Sequence, residues 1–312
     1  MSNQHLPTEL LDHIVDHLHA SRDALKSCCL VSKSWIPRAR NHLFTKIKFS
    51  TTKSLQSWRS TFPDPSTSPA YYTRILDIRC LQAIVAADTE ERAWVSTFTR
   101  VVDFVVDVPG RYTNQLPISL VPFYGFSPDL KSLHLSSRVI PLSQLFGLIY
   151  SFPLLEDLSV TCFDEWIGND DASQDNHAAA IRTSTPPVFT GLLKLDLENE
   201  LDFMASRLSS LPSGPHFRRL HLTLNQQKDA LSVTALVETC RRTLKYLEIE
   251  SELFGTSVRY SSVVITYPCS QTFRYRGRLT FRKPWNSRIW CLSAKQIPSG
   301  LPRPSKPSHV TI

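Results

Sequence analysis

One short apolar pattern, returning along most of the chain, constrains the fold more than any other feature. It reads apolar, two variable residues, apolar, one variable residue, apolar. Copies are FTKIKF (44–49), LKSLHL (130–135), LEDLSV (155–160), LLKLDL (192–197), FRRLHL (217–222) and LKYLEI (244–249), with weaker ones at TRILDI (73–78) and TRVVDF (99–104). The central apolar residues are Ile47, Leu76, Val102, Leu133, Leu158, Leu195, Leu220 and Leu247, spaced 29, 26, 31, 25, 37, 25 and 27 residues apart. The alternation that ends each copy is that of a strand with one buried face. Helical patterns lie between copies, at 52–62, at 141–153 behind a proline, and most clearly at 229–244 (DALSVTALVETCRRTL). The single long step contains GNDDASQDNHAAAIRTSTPP (168–187), a polar insertion expected to form a mobile loop.

A strand plus a helix every 25–30 residues is the signature of a leucine-rich-repeat solenoid. Each unit is too small to bury its own apolar side, so stacking must supply the core. The copies depart from the standard repeat, which places Asn just past the strand. Only Asn225 stands there, while Arg138, Phe163 and Glu200 occupy that place elsewhere. The expectation for 46–254 is therefore an irregular, leucine-rich-repeat-like stack. An α/β domain with a regular parallel sheet has a similar rhythm. In the solenoid, the residue between the last two apolar positions faces the concave sheet surface: Lys48, Asp77, Asp103, His134, Ser159, Asp196, His221 and Glu248. That mixed polar row implies no Ser-His-Asp set and no paired carboxylates. It is either a solvated sheet face or a surface for a protein client.

The first 45 residues follow a different rule. LPTELLDHIVDHL (6–18) has Pro7 where a helix begins and Glu9 at the positive end of the helix dipole, with Leu10, Leu11, Ile14, Val15 and Leu18 at helical spacing. Ser21 and Asp23 offer a second helix start, and Pro37 a third. Three short helices in about forty residues cannot cover all their own apolar surface. The set LPTELLDHIVDHL, ALKSCCLVSKSW and RARNHLF resembles the F-box: a Leu-Pro pair, an E-L-L-x-x-I helix, Leu-Val ahead of a polar stretch and Trp, and a closing x-x-L-F.

The resemblance covers about forty residues and implies a partner, the Skp adaptor of cullin-based (SCF-type) ubiquitin ligases. It implies that Leu6, Pro7, Leu10, Ile14, Leu18, Leu30, Val31 and Trp35 contact that adaptor. Leu11, Val15, Leu25 and Leu43 are expected to hold the three helices together. Combined with the repeats, it implies a non-enzymatic substrate receptor that binds an unidentified client through the solenoid. A second reading keeps the Skp adaptor and drops the ligase, leaving a scaffold. Within the same helix, HIVDH (13–17) resembles the inverted zinc-protease pattern H-x-x-E-H, with Asp in place of Glu. His13 and His17 could share a metal geometrically, but a solvated polar flank explains them, and no metal is expected.

The net charge of +7 belongs to the C-terminal stretch. Residues 255–312 contain ten Lys or Arg and no acid, leaving 25 basic and 28 acidic residues elsewhere. Arg274, Arg276, Arg278, Arg282, Lys283 and Arg288 alternate there with Phe273, Tyr275, Phe281, Trp285 and Trp290. Such interleaving can grip single-stranded nucleic acid. Without a recognised nucleic-acid-binding pattern, the expectation is a basic, poorly ordered tail. The seven cysteines, at 28, 29, 80, 162, 240, 269 and 291, form no C-x-x-C pair, which argues for reduced thiols in an intracellular protein, cytoplasmic or nuclear. No membrane span, phosphate-cradling glycine loop, nucleophile elbow or cofactor site is expected.

Overall fold

A computed structural model describes residues 7–79, 94–107, 120–137, 142–162, 187–197, 201–211, 214–224, 229–251, 262–267, 271–276, 280–282 and 291–293. The polar insertion (168–186 of it), Leu6, and the expected turn positions Asn225, Arg138, Phe163 and Glu200 lie outside them. The chain is α/β and divides into two compact units, 1–134 and 135–312. Among the described residues, no helix is long and apolar enough to cross a membrane.

In the first unit, three helices lead: α1 (Thr8–His17), α2 (Arg22–Val31) and α3 (Ile36–Phe44). Strand β1 (Lys46–Phe49), helix α4 (Thr52–Thr61), and strands β2 (Ile75–Ile78) and β3 (Asp103–Asp107) follow. Strand β4 (Ser132–Ser137) runs through the division. Strands β1, β2 and β3 pair in parallel and in chain order. Parallel neighbours require a crossover rather than a hairpin, and α4 supplies the first. A capping box starts it. Thr51 Oγ1 accepts the Ser54 N–H and Ser54 Oγ accepts the Thr51 N–H, each at 3.2 Å. Its Leu55 is buried, and its Trp58 packs edge-on or tilted against Phe44, Phe49 and Phe62.

The second unit repeats the same device. Strands β5 (Asp157–Cys162), β6 (Leu192–Leu197), β7 (Arg219–Leu224) and β8 (Tyr246–Ser251) pair in parallel and in order. Helix α5 (Leu142–Tyr150) precedes β5, α6 (Leu201–Ser209) joins β6 to β7, and α7 (Asp229–Thr239) joins β7 to β8. Helices α6 and α7 pack on each other. Within 255–312 the structure describes β9 (Ser262–Tyr267), β10 (Gln271–Arg276), β11 (Thr280–Arg282) and β12 (Cys291–Ser293). Strand β10 pairs parallel with β8 and antiparallel with β9, and β11 pairs antiparallel with β12.

A single hydrogen-bonding device spaces the strands. The carbonyl just ahead of one strand accepts two consecutive N–H groups from the start of the next. Thr45 O takes those of Arg74 and Ile75, Arg74 O those of Val102 and Asp103, and Val102 O those of Lys131 and Ser132, all at 2.8–3.0 Å. Gly191 O does the same for Arg218 and Arg219, and Arg218 O for Lys245 and Tyr246, at 2.8–3.2 Å.

This ladder corrects two frames of the sequence reading. Register places Leu76 opposite Phe104, not Val102, and Leu220 opposite Leu193, not Leu195. The pattern therefore sits at VVDFVV (101–106) and TGLLKL (190–195). In both stretches the apolar alternation is long enough for the last two apolar positions of the pattern to fit two frames two residues apart, although the frame at 190–195 begins with Thr190. The carbonyl ladder selects one frame, and the spacing tightens. Ile47, Leu76 and Phe104 are 29 and 28 apart, and Leu193, Leu220 and Leu247 are 27 and 27 apart. Only Leu158 to Leu193, which spans the insertion, is long at 35.

The inward residues are nearly inaccessible. Leu193, Leu195, Leu197, Leu220, Leu222 and Leu224 are all buried, and Phe98, Phe152, Phe189 and Phe217 recur a few residues before a strand, also buried. The Phe189 and Phe217 rings stack at 4.9 Å between centroids. Burying each such side chain contributes about 1.5–3 kcal/mol before ordering entropy is subtracted.

Candidate partner-binding surfaces

Local sequence sets the three N-terminal helices. Pro7 holds the N-cap position of α1, and its carbonyl accepts the Leu10 and Leu11 N–H groups at 3.1 and 3.2 Å. Ser21 Oγ caps α2 through the Ala24 N–H, and Pro37 lies in the first turn of α3. Their common core is Val15, Leu25, Cys28 and Ala39, all buried, with Leu18, Cys29, Trp35 and Leu43 packed against it.

The eight expected adaptor contacts separate into groups. Leu10 and Ile14 stay exposed on one side of α1, at 51 % and 43 %. Leu30 and Val31 end α2 at 89 % and 67 % exposure. Pro7 is exposed as well. Leu18 and Trp35 are half-buried on the internal core, and Leu6 is outside the described residues. Of the residues expected inside, Val15 and Leu25 are buried, Leu43 packs against the core and Leu11 is half-buried.

An ion-pair clasp that the sequence reading missed ties α1 to α3. The Arg38 guanidinium donates to both carboxylate oxygens of Asp16 at 2.5 Å, and His42 Nε2 lies 2.7 Å from Asp16 Oδ1. Arg38 first, then His42, holds the Asp16 carboxyl far below the usual carboxylate range. No local spacing marks a clasp whose partners are 22 and 26 residues away; only the folded α1–α3 pair creates it.

The outward sheet rows differ from the expected ones where the frame was corrected. In the first unit the row is Lys48, Asp77, Val105, so Asp103 drops out of it. Asp77 lies between Lys48 Nζ at 3.9 Å and Arg79 Nε at 3.1 Å, and Arg79 also reaches Asp107 at 3.5 Å. In the second unit the row is Ser159, Lys194, His221, Glu248, so Lys194 replaces Asp196. Glu248 Oε2 accepts the Tyr246 hydroxyl at 2.9 Å and lies 3.6 Å from His221 Nδ1. His134, the remaining member of the expected row, is half-buried on β4.

Asp157 performs a positioning task at the long repeat. Glu156 O accepts the Gly191 N–H at 3.1 Å, while the Leu192 N–H, which the carbonyl takes in other repeats, bonds the Asp157 carboxylate. That carboxylate fills the space a Cβ on Gly191 would need: its Oδ1 lies 1.9 Å and its Cγ 2.8 Å from an ideal Cβ position. The glycine thus allows the carboxylate its close approach to the backbone.

Among the described residues, no group of three His, Cys, Asp or Glu could hold a metal ion. The described cysteines 28, 29, 162 and 240 are free thiols. No protein-family model matches the chain, and no curated protein is significantly similar to it in sequence.

Proposed function

We propose that this chain is a substrate receptor of an SCF-type cullin ubiquitin ligase. Helices α1–α3 serve as an F-box that docks on the Skp adaptor, and the stacked strand–helix units form an irregular leucine-rich-repeat-like solenoid that holds a protein client. One observation carries the reading. The three-helix unit closes a core of its own and still leaves Leu10, Ile14, Leu30 and Val31 outward, four of the positions that the F-box resemblance assigns to the adaptor. Their exposed fractions equal about two and a half aliphatic side chains, so covering them yields about 4–7 kcal/mol before the costs of association.

Client capture falls to the sheet face opposite the core, where Lys48 is exposed and Lys194, His221 and Glu248 are half-buried, a mixed charge that suits a polar protein surface better than an apolar ligand. The chemistry of ubiquitin transfer belongs to other subunits. This chain contributes proximity, raising the effective concentration of a client lysine near the conjugating enzyme.

Co-purification of the full chain tests the proposal. Recovery of both the Skp adaptor and a cullin supports a ligase, adaptor without cullin leaves the scaffold reading, and neither overturns both. Within the first outcome, Leu10→Asp with Ile14→Asp abolishes adaptor recovery, because carboxylates enter an apolar contact. The far-ultraviolet circular dichroism stays unchanged, because both positions are solvent-facing in the free chain. RNA capture that disappears on deleting 255–312 would instead favour nucleic-acid binding by the basic stretch.

A further inference from the structure

Helix α1 carries two imidazoles that neither the core nor the ion-pair clasp uses. His13 and His17 are exposed, lie one turn apart, and bring their Nε2 atoms within 3.2 Å of each other. The ring centroids are farther apart, at 4.5 Å, so the two nitrogen edges converge. We infer that His13 and His17 form a two-imidazole chelate for a borderline divalent transition metal of the zinc class.

The distance argues for it. Zinc–imidazole bonds are about 2.0–2.1 Å long, so nitrogens 3.2 Å apart subtend about 99–106° at a shared ion, close to the tetrahedral angle. In the free chain one Nε2–H can donate to the other Nε2. When the ion binds, each neutral ring keeps its one proton on Nδ1, and both Nε2 lone pairs turn to the metal. Water completes the coordination, because among the described residues no third His, Cys, Asp or Glu joins the pair. Two acids adjoin the pair in sequence, Asp12 beside His13 and Asp16 beside His17, and Asp16 is held by Arg38 and His42. An exposed imidazole pair suits zinc, copper or nickel rather than magnesium or calcium, which prefer oxygen. Residues 10, 13, 14 and 17 share one side of a helix, so the ion sits on the same side of α1 as Leu10 and Ile14. The inference stands independently of the proposed ligase role.

The test uses the full chain, labelled with 15N-histidine and titrated with zinc chloride in a non-coordinating buffer. Side-chain nitrogen spectra report coordination directly, and calorimetry gives the association constant. The expected result is a shift of both Nε2 resonances, with the association constant falling by about tenfold or more in His13→Ala and in His17→Ala. Glu9→His combined with His17→Ala rebuilds the pair one turn earlier, between position 9 and His13, and restores binding. Binding unchanged in both single variants, or not restored in the double variant, overturns the inference.

Discussion

Replacing Gly191 by alanine probes the joint between β5 and β6, and its cost follows from the geometry. A Cβ there would lie 1.9 Å from Asp157 Oδ1, so the carboxylate must rotate away and release the Leu192 N–H. A hydrogen bond to a charged group contributes about 1.5–3 kcal/mol. The backbone at 191 is not left-handed, so alanine also removes unfolded-chain entropy, which returns about 0.4–1 kcal/mol. The Glu156 carbonyl, 3.1 Å from the same Cβ, must give by a few tenths of an ångström and offsets that return. Gly191→Ala is therefore expected to destabilise by about 1.5–3 kcal/mol, and Asp157→Ala, which deletes the same bond, by a similar amount. The double variant has no carboxylate left to displace, so it should cost little more than Asp157→Ala alone. Urea denaturation of the four proteins, with equal slopes, gives a coupling energy of about 1.5–3 kcal/mol. Strictly additive costs would refute the reasoning, because the two residues would then act independently.

Three further outcomes are expected. The lowered Asp16 carboxyl contributes stability that is fully present above its unfolded value of 3.8 and is lost as pH falls through the folded value. The difference in stability between wild type and Asp16→Asn should hold constant down to about pH 5 and shrink below 3.8, as read by helix content during acid titration. Leu25→Ala, at a buried core position, should destabilise by about 2–5 kcal/mol, while Leu30→Ala at the exposed end of α2 stays within about 0.5 kcal/mol by thermal unfolding. Burial pushes the Cys240 thiol up to about 11, so native protein at pH 8 should leave Cys240 unmodified by iodoacetamide, with modification appearing in urea, as site-resolved mass spectrometry would report.

Particular elements show what was readable in advance. Helices α4, α5 and α7 fall within the segments that periodicity marks, and the inward residues of β1, β2, β7 and β8 match the pattern residue for residue. The periodicity reading does not mark helix α6, although Leu201, Met204, Ala205 and Leu208, all buried, carry a plain helical spacing. The frame of β3 and β6 is off by two residues in the sequence reading, because the alternation there lets the last two apolar positions of the pattern fit twice.

On the N-terminal helices, the F-box resemblance divides the apolar residues into an outward and an inward set, but Leu18 and Trp35, which it assigns outward, pack against the internal core. Leu10, Leu11, Ile14, Val15 and Leu18 all belong to one broad stripe. The packing of Leu25 and Cys28 from α2 and Ala39 from α3 buries Val15, while Leu10 and Ile14 stay outward.

What the sequence determined by itself is therefore periodic and local: strand alternation, helix stripes, the helix start at Ser21, and a repeat length of 25–30 residues. These follow from interactions within a few positions, where spacing alone decides which side chains share a face. What the tertiary structure alone decided is registration and pairing: which carbonyl accepts which two N–H groups, how Gly191 allows the Asp157 carboxylate its close approach, and how Asp16 meets Arg38 and His42. Such contacts join residues 22 to 35 positions apart. Their geometry exists only once neighbouring units have stacked, so no local spacing can encode it.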